Sequence, residues 1–271
     1  MLWSKNGHFI SWLVIPLFVF IWPTIITKEA FQPNKLIGNH QLTITPAPLT
    51  ECHMKPSSSH YFRVPAMLIV LSIIPILAGM VRVHGVVDGE LTTENARFFM
   101  SPIPIIFHIV TASIFCILGA FQFPQYYRQR WPNWHRLSGR VVITCGLASA
   151  LTGLWMTLFY QIPSPLQGNS LYYFRIFVGC AMSASIVLAL ISIMKRNITS
   201  HRAWVIRAYA LGQGAGTQVL VFIPFMIAIG DVTGFLRDML MISAWVINIV
   251  IAEFIIWRSI ISQQNYVISQ T

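Results

Sequence analysis

Residues 102–123 read PIPIIFHIVTASIFCILGAFQF, a run with no lysine, arginine, aspartate or glutamate and a single imidazole, His108. An α-helix of about 20 apolar residues crosses the roughly 30 Å hydrocarbon core of a bilayer, and within lipid only a helix or a closed barrel satisfies its own backbone. The same signature recurs at about 62–82, 140–160, 172–194, 204–229 and 239–257, so the sequence contains six clear spans. A seventh apolar stretch, 9–27, carries Pro16 and Pro23 and reads as an additional amino-terminal span. Lys5 ahead of it also suits a signal peptide or anchor, although no small-residue cleavage pattern follows Ile26. Across its 271 residues the chain is 55% hydrophobic and 10% charged, against about 25% charged in soluble domains. Soluble-domain and disordered classes are excluded, and the expected fold is an all-α polytopic transmembrane helix bundle.

The charges set the expected orientation. Arg128, Arg130, Arg136 and Arg140 follow the second clear span, and Lys195, Arg196, Arg202 and Arg207 follow the fourth, on the same side by parity. Arg258 joins them. On the other side Arg82, Arg97, Arg175 and Arg237 are diluted by Asp88, Glu90, Glu94, Asp231 and Asp238. The positive-inside rule places the basic loops 124–140 and 195–207 in the cytoplasm. The organisation then reads as an amino-terminal span or signal anchor (1–27), an irregular linker rich in Pro, Ser and Thr (28–61), a transmembrane helical domain (62–258) and a cytoplasmic tail (259–271). The net charge of +10 is spread as membrane-flanking anchors and does not form a nucleic-acid face. Trp131, Trp134, Tyr172, Tyr173 and Trp257 sit near span ends, where amphipathic rings meet headgroups. Membrane lipids are therefore the expected surroundings, and nothing in the sequence sets the oligomeric state.

Polar residues within the spans carry whatever chemistry there is. Cys116, Cys145 and Cys180 lie inside spans and Cys52 in the linker, with no Cys-x-x-Cys pair, so packing is the expected role of the first three. Gly212, Gly214 and Gly216, and Gly146 with Ala150, are small residues that permit close helix contact, while Gln213 and Gln218 suit interhelical hydrogen bonds. His108 reads either as a ligand or proton-relay group or as a neutral imidazole bonded to a hydroxyl or carbonyl. Glu253 needs a proton or a partner. Arg207, entering its helix from the same side, is the expected partner, and proton handling is the alternative role. Two clusters, HRLSGR at 135–140 and HRAWVIR at 201–207, begin with His-Arg before a helix. His135 and His201 are thereby expected at comparable depth, where facing imidazoles can ligate one haem iron, with Arg136, Arg140, Arg202 and Arg207 available to its propionates. The rival reading is a pair of membrane anchors whose histidines cap or snorkel. An outer pair of His84 and His108 is weaker, because His84 precedes Gly85 at a helix end.

The stretches FHIVTASIFCILGAFQF, NWHRLSGR and HRAWVIRAYAL, over roughly residues 97–220, resemble the predicted membrane proteins grouped as domain of unknown function 2306. Val205 stands where that family usually has methionine, and Gln218 lies near a place where arginine is frequent. The resemblance implies an integral membrane domain and no established activity. The placement of histidines before or within helices is also similar in style to b-type cytochromes, a likeness of architecture alone.

Three functions follow as expectations. The first is a haem b electron-transfer protein using His135 and His201, or a pair with His108, served by quinone or another redox partner, since no nucleotide fingerprint is present. The second is a proton-coupled transporter or permease using Glu253, His108, Arg207 and the glutamines. The third is a non-catalytic membrane assembly component.

Overall fold

A computed structural model describes residues 59–89, 91 and 95–268, with side chains over 62–261 of these. The expected span 9–27 and the expected linker 28–61 up to residue 58 lie outside the described residues; residues 59–61, expected as linker, are already helical. Those described are mostly helical, joined by turns and short irregular segments, with no strand among them. The long helices are α1 (Ser59–Val87), α3 (Pro102–Ala120), α5 (Pro132–Phe159), α6 (Asn169–Met194), α7 (Ile198–Gly212), α8 (Gly214–Ile229) and α9 (Gly234–Ile268); α2 (Ala96–Met100) and α4 (Gln125–Arg130) are short connectors. Five helices among the described residues are long and apolar enough to cross a membrane, and α7 with α8, bent by 44° at their junction, pass the same test together, as one broken span or a re-entrant loop. Five of the six clear spans expected from the sequence are therefore helices of crossing length, and the remaining one, 204–229, falls on the bent pair.

Helix ends follow local chemistry. Pro132 sits in the first turn of α5, where a missing N–H costs nothing, so that helix starts before the apolar run at 140. Asn197 caps α7 by accepting the N–H of Ser200 at 2.9 Å, so the side chain of the Asn-x-Thr triplet serves the helix end. The helix α9 continues beyond Arg258 to Ile268, since no breaker intervenes in SIISQQNYVI.

Packing places α3, α5, α6 and α7 in a ring in that order, with the seam between α3 and α7 the least packed side; α1 lies on α3 and α8, and α9 closes against α7 and α8. Hydroxyls inside the spans satisfy themselves on the preceding turn, as Thr111 does on the Phe107 carbonyl (2.8 Å) and Ser185 on that of Ala181 (2.7 Å). The outer faces carry Val250, Ile251, Phe254 and many other large apolar side chains in the open. That surface suits lipid, and glycines rather than hydrophobic burial draw the helices together. A β-carbon on Gly146 would lie 2.6 Å from the Phe115 ring, and one on Gly212 2.5 Å from the same ring.

Candidate functional site

One pole gathers the basic loops. His135 stands in the first turn of α5 and His201 in the first turn of α7. The Nδ1 of His201 lies 2.9 Å from the Ala189 carbonyl. A carbonyl only accepts, so Nδ1 is the donor, which in a neutral ring leaves the lone pair on Nε2. His135 is near enough to His201, and to Arg128, for their charges to interact. Its Nδ1 is buried and has no hydrogen-bond partner among the described residues. Gln122, from the end of α3, donates to Ser138 at 2.8 Å, and Gly139 leaves the space its amide crosses, since a β-carbon there would lie 3.3 Å from Gln122 Oε1. Arg136 donates to Asn133 at 2.6 Å; Arg136, Arg140 and Arg202 are exposed. At the same pole the rings of Phe121, Tyr127, Trp131 and Trp134 pack on one another, edge-on, stacked or tilted.

Inside the ring, below the two imidazoles, lies a cavity of about 30 Å³ lined by Phe115, Gly119, Gln122, Val142, Ile186 and Tyr209 among others. It has room for about one water, whereas sites for larger ligands run to about 300–1,000 Å³. As a haem site the donor set fits: two imidazoles on different helices, one with its tautomer set by a carbonyl and one with an unpartnered buried nitrogen. The room for a macrocycle is filled by the rings of Phe115 and Tyr209, which lie over Gly119, Gly146 and Gly212. Among the described residues no three His, Cys, Asp or Glu side chains converge as a metal site.

His108 is separate from this pole. Its Nδ1 lies 2.9 Å from the Ser149 carbonyl and 3.2 Å from Thr152 Oγ1, which joins α3 to α5, and Gly153 makes room for the ring. This is the geometry of an imidazole held by carbonyl and hydroxyl. His84 is exposed at the other end of the bundle, 3.9 Å from Asp88, and no contact joins it to His108. Arg207 meets Glu253 through two hydrogen bonds, 2.6 and 2.8 Å, with its guanidinium 4.8 Å from the Trp204 ring centre.

The break between α7 and α8 falls at Gln213 and organises a network that the sequence marks only by its glycines and by Gln213 itself, whose expected interhelical bond is present. Interrupting a helix frees carbonyls, and each freed group in lipid needs a donor. Asn248 donates to Ala210 O (3.0 Å), Trp245 to Leu211 O (3.2 Å) and the Cys116 thiol to Gly212 O (3.9 Å). Gln213 accepts from Ser72 at 3.0 Å and donates to the Tyr209 hydroxyl at 2.8 Å, and Tyr209 donates to Cys116 O at 2.7 Å. Ser72, Tyr209, Trp245 and Asn248 come from apolar surroundings where no spacing announces a role.

No curated protein and no solved structure matches the chain. The model of one family, described as predicted membrane protein (DUF2306), matches residues 105–256, from α3 through the turn of α9 that follows Glu253. That stretch holds the four-helix ring, both histidine clusters and the broken span. The chain is a multi-pass membrane protein and belongs to the family of predicted membrane proteins designated domain of unknown function 2306.

Proposed function

We propose that the protein binds haem b between His135 and His201 and passes electrons at the basic pole, which faces the cytoplasm. The observation that carries this reading is the pair of neighbouring imidazoles on α5 and α7, one with Nε2 presented by the Ala189 carbonyl and the other with a buried Nδ1 that no described group uses. Haem b, when bound, supplies a one-electron iron couple. The chain's own part would be to orient the imidazoles and to place Arg128, Arg136, Arg140 and Arg202 at headgroup level for the propionates, while Phe115 and Tyr209, which fill the room a macrocycle needs, would have to turn aside to admit it. Arg207 stays with Glu253 and lies outside this set. Among neighbours around the ring, α3 and α7 are the least closely packed, so the seam between them is where a flat macrocycle would enter at least packing cost. A quinone or another redox partner serves as donor or acceptor.

The test is the visible spectrum of detergent-purified protein from haem-replete cells, before and after dithionite. A Soret band that sharpens, with α and β bands appearing, supports the reading. His135→Ala and His201→Ala then lose the bands, whereas His108→Ala keeps them. A colourless preparation removes the proposal.

The broken span favours a second reading, a proton-coupled carrier, because interrupted helices near the midplane are a feature of transporters. Here the carbonyls at 210–212 are already taken by side chains of the protein, which ranks this reading below the first. Glu253→Gln distinguishes it: loss of substrate-coupled proton uptake supports the carrier, and unchanged uptake dismisses that residue.

A further inference from the structure

Between α7 and α9, at the basic pole, lies a shallow cleft of about 20 Å³ lined by Thr199, Arg202 and Ile206 from the first helix and by Ile256, Ser259 and Ile260 from the second. A volume near that of one water encloses no ligand, so an occupant must lie along the cleft with most of its surface outside. Deeper in the bundle the same two helices are joined by Arg207 and Glu253. At about 1.5 Å of rise per residue, Arg202 lies about 8 Å and Ser259 about 9 Å from that pair toward the pole. The guanidinium and the hydroxyls therefore share one level, the level of the exposed Trp257 and Arg258 on α9. Amphipathic rings and basic side chains mark the headgroup region. Below them the walls are apolar.

The polar groups at the mouth are not used by the protein. Other hydroxyls on long helices return to the preceding turn, as Thr144 does on Arg140 O at 3.0 Å and Ser183 on Gly179 O at 2.8 Å. Those of Thr199 and Ser259 make no hydrogen bond among the described residues, and Arg202 meets neither a carboxylate nor another acceptor there. Glu253 is the one carboxylate on this half of either helix, and Arg207 takes both of its oxygens. The mouth thus keeps the positive charge of Arg202.

A guanidinium beside two hydroxyls suits the unesterified oxygens of a phosphodiester, and the isoleucines below suit the first methylenes of an acyl chain. We propose that the cleft binds one anionic phospholipid of the leaflet at the basic pole, with its phosphate at Arg202, Thr199 and Ser259 and a chain along Ile206, Ile256 and Ile260. Charge complementarity selects this occupant: a free anion uses only the mouth, and a zwitterionic headgroup brings an ammonium that gains nothing beside a guanidinium. The cleft lies on the side of α7 that faces α9, whereas His201 is turned to the Ala189 carbonyl of α6. With a headgroup bound, Arg202 is committed to it, and the propionates of the haem proposed above fall to Arg128, Arg136 and Arg140.

The experiment is thermal unfolding of the detergent-purified full chain, titrated with short-chain phosphatidylglycerol, with phosphatidylcholine of the same chain length, and with sodium phosphate against sodium chloride at matched ionic strength. Binding to the folded state raises the midpoint, and a saturable rise of about 2–4 °C is expected with phosphatidylglycerol alone. Arg202→Gln should weaken its apparent affinity about fivefold, the worth of one interfacial cation. Ala203 also lines the cleft, and Ala203→Leu should weaken binding comparably by filling it, with no change of charge. Lys195→Gln removes the same charge at the same pole from outside the cleft and should respond as the parent does. The proposal is overturned if phosphatidylcholine matches phosphatidylglycerol, if Lys195→Gln weakens binding as much as Arg202→Gln, or if Ala203→Leu binds like the parent. A rise with inorganic phosphate equal to that with phosphatidylglycerol would also overturn it, by making the mouth a site for free anions. Ala203 and Lys195 have no part in the haem proposal, so these outcomes are independent of the visible spectrum.

Discussion

Arg207 and Glu253 join α7 to α9 in a fork, Nε to Oε1 at 2.6 Å and Nη2 to Oε2 at 2.8 Å, with the arginine side chain 3% exposed and the glutamate 39%. The asymmetry matters: removing the glutamate strands a buried charge, whereas removing both groups strands nothing. Glu253→Gln should therefore destabilise by about 2–3 kcal/mol, below the roughly 3–5 kcal/mol of a fully buried pair, because Glu253 is partly open to its surroundings. Arg207→Met combined with Glu253→Gln should recover at least half of that loss. Thermal midpoints of the variants in detergent check this, and a double variant less stable than the single one would refute the account.

The close approach at the break makes a second prediction. A β-carbon on Gly214 would run into the Trp245 ring, and that ring supplies the donor for Leu211 O. Gly214→Ala should cost at least about 1–3 kcal/mol by overpacking, plus the lost hydrogen bond. Gly85→Ala meets nothing within 4 Å and sits in a helix, so it should be neutral or stabilise by up to about 1 kcal/mol. Comparable losses at the two sites would show that the α7–α8 junction is not tightly packed.

How much of this was legible in the sequence depends on what enforces each feature. Lipid enforces the spans: a run such as 102–123 has no alternative to a helix, so its existence is readable, and the parity of spans carries His135 and His201 to one pole. The Arg207 and Glu253 partnership was readable for the same reason, since one carboxylate deep in a span demands a partner. The break at Gln213 was not. Gly212, Gly214 and Gly216 signal close approach, but whether a helix tolerates interruption depends on donors from distant segments, here Asn248, Trp245 and Cys116. The helix α4 in the basic loop escaped for the opposite reason: six residues, QYYRQR, are too few to carry a periodic signal.

Sidedness is a third prediction. Phe121 packs on Trp134 within one basic connection and Ser192 bonds Ser200 at 3.0 Å within the other, and His135 of the first lies near enough to His201 of the second for their charges to interact. Reporter fusions after Arg130 and after Arg196 should therefore report the same compartment, the cytoplasm by the positive-inside rule. A fusion after Ser164 should report the opposite one. Opposite readings at 130 and 196 would separate the two histidine clusters and end the haem proposal.

Tyr160, just beyond the end of α5, gives a fourth prediction, in alkaline pH. Its hydroxyl donates to the Ser101 carbonyl at 2.6 Å and its ring packs on Phe98. Burial raises its phenol above the ordinary value, against smaller opposing effects of a backbone hydrogen bond and of Arg97. A raised value in the folded state means the unfolded chain loses this proton first. The stability contributed is whole below the ordinary phenol value near pH 10 and is lost as pH rises through the higher folded value. Tyr160→Phe should cost about 1 kcal/mol at neutral pH and should flatten the fall in stability above pH 10. An unchanged alkaline slope in that variant would mean that the α2–α5 contact does not hold the phenol in its protonated form.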